Sequence, residues 1–363
     1  MNRFILYIAI ALTTMCMFVS CHSKAHVGEV SQGDTLKLSY AEYLTIIEHG
    51  EYTEVHISSP WSKGKLLQTL RVPSPEPCRA LFFTTTHSSL MEELGALDAI
   101  AGICEAEYVA NPRLRQALSD GRIKDMGSAM VPNRERIAGL APDIILLSPY
   151  ENAATYGNLE SLGVPIIQCA DYMETSALGR AEWIRFYGRL FGKAREADSL
   201  FAVIESEYMS LKSLTDSIDA AACPSVLFDM RSGSAWYVPG GRSTMAQLVD
   251  DAGGRYLFSD NTKSGSLPLS FERVIGRGGE ADVWLIRYND GRTRMTLQTF
   301  GKSYQPYTLF KAYREGNVYG CNSAELTFHE ETPFHPERLL RDYIRILHPE
   351  LLPGDTLRYF HKL

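Results

Sequence analysis

The chain has 363 residues, 45% of them hydrophobic and 22% charged. That length and apolar content can fill two cored domains. The formal net charge of −7 excludes nucleic acid as a partner, because phosphate binding needs basic patches.

Residues 1–21 read as a signal. Arg3 precedes an apolar run from Phe4 to Val19, shorter than the ~20 residues a stable membrane span needs. Small Ser20 and then Cys21 close it, which resembles a bacterial lipoprotein signal, cut before the cysteine and lipidated on its sulfur. Phe18 stands where leucine is usual. A plain secretory signal and an uncleaved anchor are the alternatives. No second run of spanning length follows. The expected location is the periplasm, lipid-anchored through Cys21 to a membrane of the cell envelope. Seven cysteines are present. Cys16 leaves with the signal, and Cys78, Cys104, Cys169, Cys223 and Cys321 show no CxxC spacing, so they read as small buried apolar residues, with one bridge possible.

Residues 22–77 are a polar tether followed by a hairpin, whose strands are "YTEVHISSPW" and "KLLQTLRV". Residues 78–192 alternate strand and helix: "RALFFT", "HSSLMEELG", "AIAGI", "NRERIAGLAPDIILLSPY", "YGNLESLGVPIIQ". Such alternation implies a parallel sheet covered on both faces. A helix follows over 193–216. Its stripe of Ala194, Ala197, Phe201, Ile204, Tyr208 and Leu211 keeps helical spacing, and 193–214 would extend about 33 Å. Alternation resumes over 217–363 with "PSVLFDM", "STMAQLVDDAGG", "FERVIG" and "ADVWLI", closing on the amphipathic "PERLLRDYIRIL". The predicted fold class is therefore α/β: two lobes, each a mostly parallel sheet flanked by helices, joined by one long interlobe helix.

Enzymatic signatures are absent. There is no GxSxG, no HExxH and no GxGxxG after a strand. "FGKS" at 300–303 ends like a phosphate-binding loop, but Thr296 stands where the first glycine must be. Glu330 and Glu331 have no framing motif and read as a solvated acidic pair. The chain is not expected to be an enzyme.

Five strings, "LGALDAIAGI", "VPNRERIAGLAPDIILL", "LESLGVPII", "VPGGRSTMAQLVDDAGG" and "LSFERVIGRGGEADVWLI", occur in one order around the long helix. Over 78–348 the chain resembles the periplasmic binding proteins of ABC importers for iron–siderophore, haem and vitamin B12, of the helical-backbone class. The hairpin and "GRAEWI" resemble Bacteroidetes-type lipoprotein forms. The resemblance implies a substrate-binding lipoprotein that captures an iron complex or cobalamin between its lobes and delivers it to a permease dimer with its ATPase. It implies no resident cofactor. The alternatives are a surface lipoprotein that scavenges haem or metal without a permease, a zinc- or manganese-binding protein, and an enzyme on a similar scaffold.

In the vitamin B12-binding member of that family one glutamate per lobe meets permease arginines. The matching motifs here are "NRERI" and "SFERV", giving Glu135 and Glu272. Carboxylate–guanidinium pairs are directional, so two of them can set a two-lobed body in register. Cleft residues are expected at the C-terminal ends of strands: Tyr108, Tyr150, Arg231, Trp236, Tyr237, Arg287 and Tyr288. Aromatic rings suit flat macrocycles and catecholates; arginines suit carboxylates. His87, His329 and His335 could ligate a metal, but no three-histidine set accompanies them. They are expected to pack, cap or line the cleft, and no metal site is assigned.

Overall fold

The computed structural model describes residues 33–73, 78–151, 156–291 and 294–363. The signal segment and Cys21 lie outside the described residues. Asp34–Leu363 form one compact unit. Its first part is a four-stranded antiparallel sheet rather than a hairpin: β1 (Asp34–Leu36), β2 (Leu44–His49), β3 (Tyr52–Ser58) and β4 (Leu66–Pro73), in that order. Alternation buries Leu44, Ile46, Val55 and Ile57 on one face, as a half-covered sheet requires.

The N-terminal lobe is built on a parallel sheet of order β7-β6-β5-β8-β9. Its strands are β5 (Ala80–Phe82), β6 (Ile100–Ile103), β7 (Lys124–Asp125), β8 (Ile144–Leu147) and β9 (Ile166–Gln168). Leu81, Phe82, Ile145 and Leu146 are fully buried, because helices cover both faces. Those helices start where the sequence offers side-chain acceptors. Thr84, Asn133 and Ser176 each cap the N–H three residues on.

The C-terminal lobe repeats the plan, starting with β10 (Ser225–Phe228). A three-stranded antiparallel sheet, unforeseen in the sequence, follows from β11 (Arg231–Ser232), β12 (Ala235–Pro239) and β14 (Ser266–Leu269). The main sheet has order β13-β10-β15-β16-β17, adding β13 (Arg255–Tyr256), β15 (Val283–Tyr288), β16 (Val318–Asn322) and the antiparallel edge β17 (His361–Lys362). Strand for strand, β6-β5-β8-β9 corresponds to β13-β10-β15-β16.

Between the lobes, "GRAEWIRFYGRL" forms two helices, Ala177–Glu182 and Ile184–Leu190, meeting at Trp183. Gly192, at φ +68°, turns the chain in a conformation that favours glycine. The long helix then runs Ala194–Ser213, with Ala197, Phe201, Ile204, Tyr208 and Leu211 buried. Fully burying a large apolar side chain stabilises by about 1.5–3 kcal/mol, so this stripe holds the helix in place. Near its C-terminal end, the Tyr208 hydroxyl donates to Asp251 Oδ2 at 2.5 Å in the C-terminal lobe. No described helix is long and apolar enough to cross a membrane. The five cysteines from Cys78 onward are free.

Candidate functional site

In each lobe the strand order reverses direction next to the first strand, at β5/β8 and at β10/β15. Ligands in open α/β sheets bind outside the C-terminal ends of strands at such switch points. In the N-terminal lobe this place is a recess of about 290 Å³ lined by Phe83 and Thr84 after β5, Ser148 and Tyr150 after β8, and Met130 and Tyr156 from neighbouring loops. Its lining is mainly apolar and aromatic. Tyr150 and Tyr156 meet edge to face at 5.9 Å. The Tyr156 hydroxyl donates to Gln168 Oε1 at 2.9 Å, and burial pushes its pKa up to about 12. Glu105, just past β6, accepts from Ala129 N at 2.7 Å and Ser128 Oγ at 3.0 Å, which steadies the loop that carries Met130.

A second recess of about 140 Å³ lies between the lobes, lined by Arg180 and Ala177 from one side and by Met245, Arg287 and His329 from the other. Thr86, two residues beyond Thr84 of the first recess, donates its hydroxyl to His329 O at 2.8 Å, a lobe-to-lobe contact between the two recesses. Arg287, in β15, donates to both carboxylate oxygens of Asp229 at 2.9 and 2.5 Å. Asp229 follows β10 with a positive φ of 59°, which aspartate tolerates better than most residues. Desolvation and then the nearby Arg287 charge lower the His329 pKa.

Further contacts join the lobes. Glu330 accepts from Ala110 N at 3.1 Å and Asn111 N at 3.3 Å. His335 bonds Glu93 Oε2 of the N-terminal lobe through Nε2 at 2.7 Å and Glu337 Oε1 through Nδ1 at 2.8 Å. The solvated reading of Glu330 is thus corrected: it is 4% exposed and serves as a lobe-to-lobe acceptor.

Of the sequence-predicted cleft residues, Tyr150 lines the first recess and Arg287 the second. Tyr108 and Tyr237 are 57% and 48% exposed, and Arg231 is exposed with its guanidinium 4.9 Å from the centre of the Tyr304 ring; all three stand outside both recesses. Trp236 is a correction. It is wholly buried, stacked on Trp284 at 5.5 Å, with Nε1 donating to Phe228 O at 3.0 Å. Strand alternation puts Trp236 and Tyr237 on opposite faces, and the core takes the tryptophan. Tyr288 is likewise buried at 5%, its hydroxyl accepting from Met295 N at 3.1 Å, because its neighbour Arg287 has the cleft-facing phase of β15. Thr84, Met130, Tyr156 and Arg180 were missed. Arg180 sits inside a helical stretch whose pattern speaks only of packing.

Glu135 and Glu272 are exposed in the first turns of the helices Arg134–Leu140 and Phe271–Gly278. These helices lead into β8 and β15, the corresponding strands of the two sheets. Its own backbone N–H and then the Ser270 hydroxyl hold the Glu272 carboxyl below its ordinary pKa. Both ring nitrogens of His87 are occupied, by Thr84 Oγ1 and Asp171 Oδ1 at 2.9 Å each, so it is not poised to bind a metal.

The fold is shared with known proteins. An uncharacterized lipoprotein of Methanocaldococcus jannaschii is 27% identical over 314 residues, 83% of this chain and 72% of the relative. A cobalamin-binding protein of Halobacterium salinarum is 25% identical over 250 residues, 68% of this chain and 64% of the relative. Among solved structures, the ABC-type Fe3+-hydroxamate transport system protein of Saccharomonospora viridis superposes with a TM-score of 0.61 at 17% identity, covering 82% of this chain and 99% of that one. A periplasmic haem-binding protein of Pseudomonas aeruginosa gives 0.58 at 18%, covering 77% and 96%. The model of the periplasmic binding protein family matches residues 83–325. That span holds most of the residues that line the two recesses, and the chain belongs to the periplasmic binding protein family, whose members carry substrates for ABC transport.

Proposed function

We propose that this protein is the capture component of an ABC importer for a metal chelate of several hundred daltons: an iron–siderophore, haem or a corrinoid. The observation that carries this reading is a pair of recesses on facing lobes, one lined by Phe83, Met130, Tyr150 and Tyr156 and the other by Arg180, Arg287 and His329. A flat ligand gains from aromatic contact, while the arginines suit oxygen-bearing edges. The similarity to the cobalamin-binding protein of Halobacterium supports the corrinoid, and the two structural neighbours keep ferric chelates and haem in the set. In this reading the ligand passes to a permease dimer with its ATPase, and lipid on Cys21 holds the protein at the membrane.

The test is calorimetry with ferric siderophores, hemin, cyanocobalamin and free zinc. The reading expects saturable binding of at least one chelate, and Tyr150→Ala should weaken it about tenfold, the loss of one aromatic contact of about 1.4 kcal/mol. Binding of zinc alone, or of nothing, would refute it.

Glu135 and Glu272 are proposed as the permease contacts. Glu135→Ala and Glu272→Ala should leave ligand affinity within about twofold while transport falls about tenfold or more, because partner-facing charges act on association. Uptake of radiolabelled ligand beside calorimetry on the same variants separates the two effects. Loss of ligand binding in either folded variant would remove that residue from the docking set.

A further inference from the structure

We propose that Arg180 is the ligand-reading cation of the cleft, held by a buried set of His87, Asp171 and Tyr187 so that it receives a carboxylate on the ligand's edge. This rests on the cleft being the capture site and goes beyond it by naming the residue and the chemical group.

Asp171 is 1% exposed, His87 1% and Tyr187 fully buried. Asp171 Oδ1 accepts from His87 Nε2 at 2.9 Å and from the Tyr187 hydroxyl at 3.1 Å. In that tautomer His87 Nδ1 accepts from the Thr84 hydroxyl at 2.9 Å. Asp171 Oδ2 accepts from Arg180 Nε at 3.1 Å. The bonds thus run without interruption from Thr84, in the aromatic recess, to Arg180, in the interlobe recess.

A carboxylate taken out of water costs several kcal/mol unless it is paired and fully hydrogen-bonded. Here Asp171 is sealed, while the Arg180 side chain stays 22% exposed at the recess. Only its Nε is committed, and among the described residues Nη1 and Nη2 make no hydrogen bond within the chain. Arg287 differs, since Asp229 already takes its Nε and Nη2. The terminal pair of an oriented guanidinium matches two carboxylate oxygens, and a lysine cannot reproduce that fork. Burial alone would raise the Asp171 pKa, but His87 and Arg180 hold it below the ordinary value, which keeps the anchor charged.

The experiment compares each acid with its neutral derivative: hemin against hemin dimethyl ester, and a cyanocobalamin monocarboxylate against cyanocobalamin. In whichever pair binds, the wild type should prefer the acid at least tenfold. Arg180→Gln should bring that ratio to about one through loss of acid binding, and Arg180→Lys should restore only part of it. Asp171→Asn should lower the ratio in the wild-type background and leave it unchanged in Arg180→Gln, a non-additivity that general weakening of the fold would not produce. Arg180→Gln, at the edge of the recess, decides the matter even if Asp171→Asn does not fold. A wild type that binds a pair without acid preference, or an Arg180→Gln protein that keeps it, overturns the proposal while the capture reading stands. A wild type that binds neither pair, nor any ferric siderophore, overturns both.

Discussion

Glu182→Ala is expected to cost about 3–5 kcal/mol and to release the N-terminal sheet from the lobes, because it removes a buried carboxylate that three backbone donors share. Glu182 is wholly buried. It accepts from Ser39 N at 2.9 Å, Tyr40 N at 2.8 Å and Ala41 N at 2.9 Å. Arg185 lies 3.6 Å away. Glu174, 2% exposed, does the same for the next two residues, accepting from Glu42 N at 2.9 Å and Tyr43 N at 3.0 Å. The segment 39–43 is therefore plugged into two acidic sockets, and the Tyr40 hydroxyl adds a 2.7 Å bond to Glu205 on the interlobe helix. Glu182→Gln keeps one acceptor oxygen and the shape, so it should lie between wild type and alanine. Urea unfolding gives the stability, and limited proteolysis within 34–73 reports the release. An alanine variant as stable and as protease-resistant as the wild type would show that the sockets contribute nothing.

His335 should make lobe-to-lobe stability depend on pH. Burial alone would lower its pKa, but hydrogen bonds to Glu337 and Glu93 raise it above the ordinary 6.5. The folded state thus holds the proton more tightly than the unfolded state. The stabilisation is complete below about 6.5 and is lost as pH rises through the raised value. Glu93 behaves oppositely. Burial would raise its pKa, yet His335 and then Arg338 hold it below 4.5, so its share is present above 4.5 and lost as pH falls through the lowered value. The pair is strongest with both charged. Besides Glu93 and Glu337, the charged neighbours are Arg338, 3.6 Å from Glu93, and Glu331, 3.2 Å from Arg338. His335→Gln should cost about 3 kcal/mol near pH 6, the scale of breaking a buried ion pair, and less as pH rises. Thermal melts of both proteins from pH 5 to 9 check this. A wild-type minus variant difference independent of pH would mean that His335 is uncharged in the fold.

Much of this architecture is written locally. The alternation of short apolar runs with capped helices in "RALFFT" through "PIIQ", and again from "PSVLFDM" to "ADVWLI", defines parallel strands whatever lies beside them. The stripe from Ala197 to Leu211 defines one rod, and N-cap residues such as Asn133 and Ser270 place Glu135 and Glu272 in first turns. Tertiary structure alone decided which phase of β12 met the core: period two states that Trp236 and Tyr237 oppose each other, but only packing against Trp284 and Phe310 chose the tryptophan. It also decided the roles of Glu182, Glu174, His335 and Arg180. The partners of Glu182, Glu174 and His335 lie far away in sequence, from Tyr40 to Glu182 and from Glu93 to His335, and Arg180 meets an Asp171 that the distant His87 holds in place. A polar side chain's function at such a place depends on what long-range folding brings within about 3 Å of it, and no local spacing encodes that distance.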